Sequence, residues 1–312
     1  MRRPFLNALC ELAAQDPRVL LLTADLGYTV VEGFAERFPD RFFNVGVAEQ
    51  NMLGMATGLA EAGLIPFVYS IVPFAVLRPL EFIRNGPVRH GWPVRIVGVG
   101  AGFDYGPAGF THHGLEDLAV LRPLPGLTIL SPADHRQACA ALKATHELPG
   151  PIYFRLGREE RLTLDGLDGR FRTGRLEWLH EAGEVLILAT GGVALEAGAA
   201  VAALRERGLD CAFAVAASLA PVPEEDLALA AERYRWIVTV EEHGHVGGLA
   251  SLVAERLACG ASRCRLHPVA VTVQPSDPDG SQEWYRQRHG LTAGAIAARV
   301  AGLWSDRTGE GS

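Results

Sequence analysis

Short, almost wholly apolar runs alternate along this chain with longer stretches in which apolar residues recur every three or four positions. The runs in the first half are VLLLTAD (19–25), FFNVGV (42–47), IPFVYS (65–70), VRIVGVG (94–100), LTILSPAD (127–134) and PIYFRL (151–156). Continuous apolar runs of this length, bounded by turn residues, predict buried strands. Helical patterns lie between them: an opening helix closing over 12–18, a short one ended by Pro39, one starting at Glu49 and one over 74–85 stopped by Gly86 and Pro87. Two more follow, around LEDLAVLR and over 134–146. Strands alternating with helices at this spacing predict an α/β fold, a doubly covered and mostly parallel sheet over residues 1–160.

Residues 161–183 are charged and punctuated by glycine, the pattern of an interdomain linker. A second alternation occupies 184–305, with strands in VLILAT, CAFAVAAS, WIVTVEE and CRLHPVAVT and helices between and after them. It predicts a smaller α/β domain, and 306–312 form a polar tail expected to fray.

Composition narrows the function classes. A chain of 312 residues accommodates two domains, each with its own core. With 48% hydrophobic residues and a net charge of -7, it is neither disordered nor built around a basic nucleic-acid footprint. No apolar run has membrane-spanning length, and Glu11 and Asp16 make the opening stretch a helix rather than a signal peptide. Cysteines 10, 139, 211, 259 and 264 lack CxxC spacing, which implies reduced thiols, a cytoplasmic setting and no metal site.

Polar groups collect after three strands: Asp25, then Glu49, then Thr111-His112-His113 with Glu116 and Asp117. The carboxyl ends of strands are where open α/β sheets hold ligands. Singly, each group has a plain explanation: Asp25 as a turn cap, Glu49 as a first-turn acid that the macrodipole favours, the histidines as surface loop residues. Their convergence on one sheet edge is what predicts a cleft. The helix from Glu49 carries Gly54, Ala56, Gly58 and Ala60, a smooth side for a closely approaching element.

The succession Ala24-Asp25-Leu26, NVGVAEQNMLGMATGLAEAGLIPF, YSIVPFAVLRPLEFIRN, VGAGFDYGPAGFTHHGLEDLAVLR and LTILSPAD resembles the pyrimidine-binding domain of transketolase-type thiamine diphosphate enzymes. EEHGHVGGLAS and HGLTAGAIAARV are similar to their C-terminal domain, so the likeness covers about residues 4–304. It implies that Glu49 hydrogen-bonds N1′ of the aminopyrimidine, that Phe74 or alternatively Tyr69 stacks on that ring, and that Asp25 joins the cofactor-binding set. His112, in GFTHHG, is implied in proton transfer or in binding a substrate oxygen, with His113 beside it on the substrate side. Arg158 and Arg78 fall where related enzymes bind a substrate phosphate, and each also reads as a surface or interface ion pair. Two departures stand out: Gly100 and Ala108 occupy positions where the family carries a histidine and an aspartate that recognise sugar hydroxyls.

The Gly-Asp-Gly motif, with which the family holds Mg²⁺ and the diphosphate, occurs nowhere in the chain. The resemblance therefore implies a split enzyme: this chain pairs with an N-terminal pyrophosphate-binding subunit that holds the magnesium, two copies of each forming the assembly. The implied reaction transfers a two-carbon ketol unit from a ketose to an aldose. Alternatives are the β subunit of a 2-oxo-acid dehydrogenase, a deoxyxylulose-phosphate-synthase-like enzyme, or a scaffold subunit without catalysis.

Overall fold

The computed structural model describes residues 1–260, 262–272 and 278–309, with the backbone alone over 304–309. The chain begins α1 (Arg2–Gln15), β1 (Val19–Thr23), α2 (Glu32–Arg37), β2 (Phe42–Asn44), α3 (Glu49–Glu61), β3 (Ile65–Ile71), α4 (Val72–Val76), α5 (Leu80–Ile83) and β4 (Arg95–Val99). It continues α6 (Asp117–Leu121), β5 (Thr128–Leu130), α7 (His135–Thr145), β6 (Ile152–Leu156), β7 (Glu177–His180), β8 (Val185–Thr190), α8 (Ala194–Glu206) and β9 (Ala212–Val215). The last elements are β10 (Ser218–Ala220), α9 (Glu224–Arg233), β11 (Trp236–Gly244), α10 (Leu249–Cys259), β12 (Arg265–Val271), α11 (Gln282–Arg288) and α12 (Ala293–Gly309).

Seven strands form the first sheet in the order β10-β5-β6-β4-β3-β1-β2, all parallel except β10. Every residue of β1, β3, β4 and β6 is buried, as the unbroken apolar runs require of strands covered on both faces. From β1 the chain steps outward to β2 and then recrosses to β3. The strand order therefore reverses beside β1, and the carboxyl ends there form a topological switch point. One face is covered by α1 and α7, with Phe5, Leu9, Ala138 and Leu142 against Leu21 and Phe67. The other face packs Met52, Leu53 and Ala56 of α3 against Leu20, Leu22 and Val68. Each such fully buried large side chain contributes roughly 1.5–3 kcal/mol.

The second sheet has the order β12-β11-β8-β9-β7, parallel except for β7. Two separate cores were expected; instead one apolar cluster runs from Leu20 and Met52 through to Leu186, Leu188, Leu249 and Leu252. The two sheets are also stitched by strand exchange. CAFAVAAS is not one strand: the Ala216 amide donates to Ala189 in the second sheet, while the Ala217 carbonyl accepts from Ser131 in the first. The chain crosses between sheets at that point.

Four further expectations change. Residues 161–183 contain β7 and bury Leu164, Leu167 and Leu176, and the stretch is pinned by the Leu164 amide donating to Asp134 Oδ2 at 2.9 Å. The helix expected over 74–85 starts at Val72 and is broken at Leu77–Pro79, because Pro79 has no N–H for the helical ladder. It resumes and passes through Pro87 as a wider π-turn. On α3, Ala56 and Ala60 are buried while Gly54 and Gly58 are exposed, because residues two apart point to nearly opposite sides of a helix. At the C-terminus, 306–309 are helical rather than tail, and 310–312 lie outside the described residues. Among the described residues no helix is long and apolar enough to cross a membrane.

Candidate active site

Glu49 opens α3 five residues beyond the end of β2, and it is 3% exposed. Its two carboxylate oxygens accept from Nη1 of Arg78 at 3.0 and 2.9 Å. The helix macrodipole at this first turn adds to the stabilisation of the anion. Arg78 comes from the break between α4 and α5, and its Cζ lies 3.9 Å from the centre of the Phe74 ring. Phe74 in turn meets the His112 ring edge-on, 5.0 Å between centres at 70°. Nδ1 of His112 is 2.9 Å from Thr111 Oγ1, which leaves Nε2 available for chemistry. Beyond His112, at 6.3 Å, lies Tyr105, over whose ring Arg158 places its Cζ at 4.6 Å. Five of the sequence-selected residues (Glu49, Arg78, Phe74, His112 and Arg158) thus form one line across the carboxyl edge, with a guanidinium stacked on an aromatic ring toward each end.

The other three are not brought into this line. Asp25 is an exposed turn residue at φ 56, where Oδ1 accepts from Tyr28 Oη at 2.8 Å and from Asn44 Nδ2 at 3.3 Å, tying the end of β1 to that of β2. Tyr69 is 1% exposed within β3, so its ring is core and cannot serve as the stacking face. His113 is 3% exposed, with Nε2 donating to the Gly106 carbonyl at 3.2 Å and its ring against Phe103 and Tyr285. Burial pulls its imidazole below the usual range, and its role here is to pack the loop that presents His112.

Sequence reasoning passed over Tyr105, Asp104 and Glu242. Gly100 has φ +83, and a Cβ there would run into Cδ2 and Cε2 of the Tyr105 ring. Tyr105 therefore fills the space into which a side chain at 100 would project, and the tyrosine in GFDYG was the available signal. Asp104 accepts from the Arg158 amide at 2.7 Å through Oδ2 and from Gln282 Nε2 at 2.7 Å through Oδ1. Glu242, from the second sheet, accepts from the Phe103 amide at 2.6 Å and from Arg286 Nε at 2.7 Å. Burial, and then the Glu242 charge, push the Asp104 carboxyl up to about 6. The second domain thus holds the base of the loop that carries Tyr105 and His112.

Beneath the loop, Arg155 and Asp117 form a buried pair at 2.8 Å, 2% and 1% exposed, and Asp117 also accepts from Tyr153 Oη at 2.7 Å. His243 and Glu241 adjoin it from β11.

The line of residues suits an aminopyrimidine. It offers a buried carboxylate whose cation partner reaches in from solvent, an aromatic face beside it, and a histidine past that face. Among the described residues no group of three or more His, Cys, Asp or Glu is placed to hold a metal ion.

Two mostly parallel sheets, with this set of side chains at the switch-point edge of the first, define an α/β protein of the ligand-binding, doubly wound class. Residues 1–161 match the transketolase pyrimidine-binding domain and residues 174–296 the transketolase C-terminal domain. One of the apulose-4-phosphate transketolase subunits, from Phocaeicola vulgatus, is 37% identical, over 82% of this chain and 83% of its own. A 6-deoxy-6-sulfo-D-fructose transketolase subunit of Clostridium sp. is 33% identical, over 95% of this chain and 92% of its own. A solved split-gene transketolase, described as an inactive beta4 tetramer, superposes with a TM-score of 0.85 at 36% identity, covering 96% of both chains. The chain belongs to the transketolase family and is a split-transketolase-like subunit.

Proposed function

We propose that this chain is the pyrimidine-binding subunit of a split enzyme that transfers a two-carbon ketol unit from a ketose donor to an aldose acceptor. The reading is carried by one observation: Glu49, Phe74 and His112 line up at the switch-point edge, with Glu49 buried. When bound, thiamine diphosphate supplies an electron sink for cleaving the bond beside a ketose carbonyl. Glu49 would hold the pyrimidine N1′ and polarise that ring, while Phe74 would offer its face. His112 exchanges a proton with a substrate oxygen through Nε2.

Arg158, braced by Asp104 and Tyr105, and Arg78 supply cationic groups at the substrate side. The sugars named for the two relatives, one phosphorylated and one sulfonated, support an anionic sugar as substrate. Magnesium and the diphosphate fall to a separate chain that carries a Gly-Asp-Gly motif. Val47, two residues before Glu49, is 72% exposed and Leu77, next to Arg78, is 40% exposed, apolar groups that such a partner would cover. The assembly contains two copies of each chain, and the beta4 description of the related structure supports self-association of such subunits.

The test is purification of the chain alone and with the product of a neighbouring gene that encodes a Gly-Asp-Gly-bearing partner. Ketol transfer should require both, together with Mg²⁺ and thiamine diphosphate. Transfer by the isolated chain sinks the split-enzyme reading, and near-parental turnover of Glu49→Ala in the complex removes the role of Glu49.

A further inference from the structure

We propose that the guanidinium of Arg78 is the resident occupant of the pyrimidine seat, held by Glu49 and Phe74 until the cofactor displaces it. The inference rests on the reading of those two residues as the pyrimidine site and goes beyond it. A ligand in that seat needs a flat face to lie on Phe74 and a polar edge for the Glu49 carboxylate. Arg78 provides both: its Cζ is 3.9 Å from the ring centre, and its Nη1 contacts both carboxylate oxygens at 2.9 and 3.0 Å. A guanidinium is planar, charged and edged with N–H donors, so it satisfies the same surfaces as a protonated aminopyrimidine edge.

The asymmetry of burial explains why the arrangement exchanges. Glu49 is 3% exposed and Arg78 44% exposed at the side chain. A buried carboxylate stripped of its partner is costly, so Glu49 requires an occupant at all times. A half-exposed arginine recovers its hydration on leaving, so its departure costs little. Arg78 also stands in the Leu77–Pro79 break between two short helices, where it swings without unwinding either one. It therefore acts as a positioning residue: it keeps the Glu49 carboxylate partnered and oriented in the free chain, ahead of assembly. The same displacement frees Arg78 for the substrate side, so the cofactor precedes an anionic substrate.

The experiment is calorimetric titration of thiamine diphosphate, with Mg²⁺ present, into the complex of the full chain with its Gly-Asp-Gly-bearing partner. Parent and Arg78→Met are compared. Removing the competitor should tighten binding on the order of tenfold, the reciprocal of the fraction of seats left open. Equal or weaker binding by Arg78→Met overturns the inference alone. Absence of binding by both proteins overturns the cofactor reading and this inference with it. Arginine side-chain NMR of the free full chain provides a readout that needs no partner. The Arg78 guanidinium signal, with Nη1 hydrogens held by Glu49 and shifted by the Phe74 ring, should move to the solvent-exposed position in Phe74→Leu; an Arg78 signal already at that position in the parent overturns the proposal.

Discussion

Tyr105 lies over Gly100, and the two positions cannot both carry side chains: a Cβ at 100 would collide with the tyrosine ring. The loop holds Gly100 at φ +83, which an L side chain rarely adopts. Gly100→Ala should therefore be destabilised by two separable causes, backbone strain of about 1–3 kcal/mol and overpacking of a similar size. Thermal unfolding of Gly100→Ala, and of the same change combined with Tyr105→Gly, separates them. The second substitution should relieve the collision and leave the backbone part. An undiminished melting temperature for Gly100→Ala would mean that the ring does not sit there.

This pair also marks the limit of what was legible in the sequence. Glu49 and His112 could be picked out as polar groups in the segments that follow apolar runs, although His112 lies 13 residues beyond Val99 at the end of β4. Phe74 came only with the family resemblance. Arg78 was found, but its pairing with Glu49 was not, because the break at Pro79 that turns it inward looks like continuous helix in sequence. Tyr105 was missed because it serves position 100 through space. Asp25 and His113 were chosen for residue type and position, yet their side chains are spent on a turn and on packing the loop. The linker concealed β7 because an edge strand needs only one apolar face, which a charged and glycine-rich stretch disguises.

The buried Asp117–Arg155 pair yields a second prediction. Arg155 also donates to the carbonyls of Gly114 at 2.6 Å and Glu242 at 3.1 Å, so it joins the His112 loop to β11. Asp117→Ala leaves a buried guanidinium and the Tyr153 hydroxyl short of their acceptor, a loss of about 3–5 kcal/mol. Asp117→Leu with Arg155→Met should cost less than Asp117→Ala, because no charge is stranded. Urea denaturation midpoints decide the order, and the reverse order would contradict a charge-stranding penalty.

Glu242 is the strap between the second domain and the substrate side. Glu242→Ala releases the Phe103 amide, Gln282 and Arg286 together. The loop from Gly102 to His113 should then exchange its amide hydrogens faster by an order of magnitude or more, since each lost buried bond to a charged acceptor is worth about 1.5–3 kcal/mol. The α1–β1 region, remote from the strap, should keep its protection. Hydrogen exchange followed by mass spectrometry checks both, and uniform loss of protection would signal global destabilisation instead.

Stability should depend on pH through two groups of opposite sign on β11. Burial raises Glu241 from its ordinary 4.5 to about 7 despite the Ala250 and Leu249 amides that bond its carboxylate. Between those values the folded chain keeps a proton that the unfolded chain has released. Its contribution is complete below the lower value and is lost as pH rises through about 7. Burial lowers His243 from 6.5 to about 4, so there the unfolded chain holds the extra proton; that contribution is present above 6.5 and lost as pH falls through about 4. The two oppose each other over the shared window, and the parent changes less than either alone would dictate. Glu241→Gln removes one arm, leaving an amide oxygen to accept from the α10 amides. Relative to the parent, the variant should gain stability steadily as pH rises from about 4.5 to about 7 and run parallel to it above that. Asp104, raised to about 6, contributes equally to both proteins and drops out of the difference. Urea midpoints measured across this range test the sign, and a constant offset between the two curves would show that Glu241 does not titrate there.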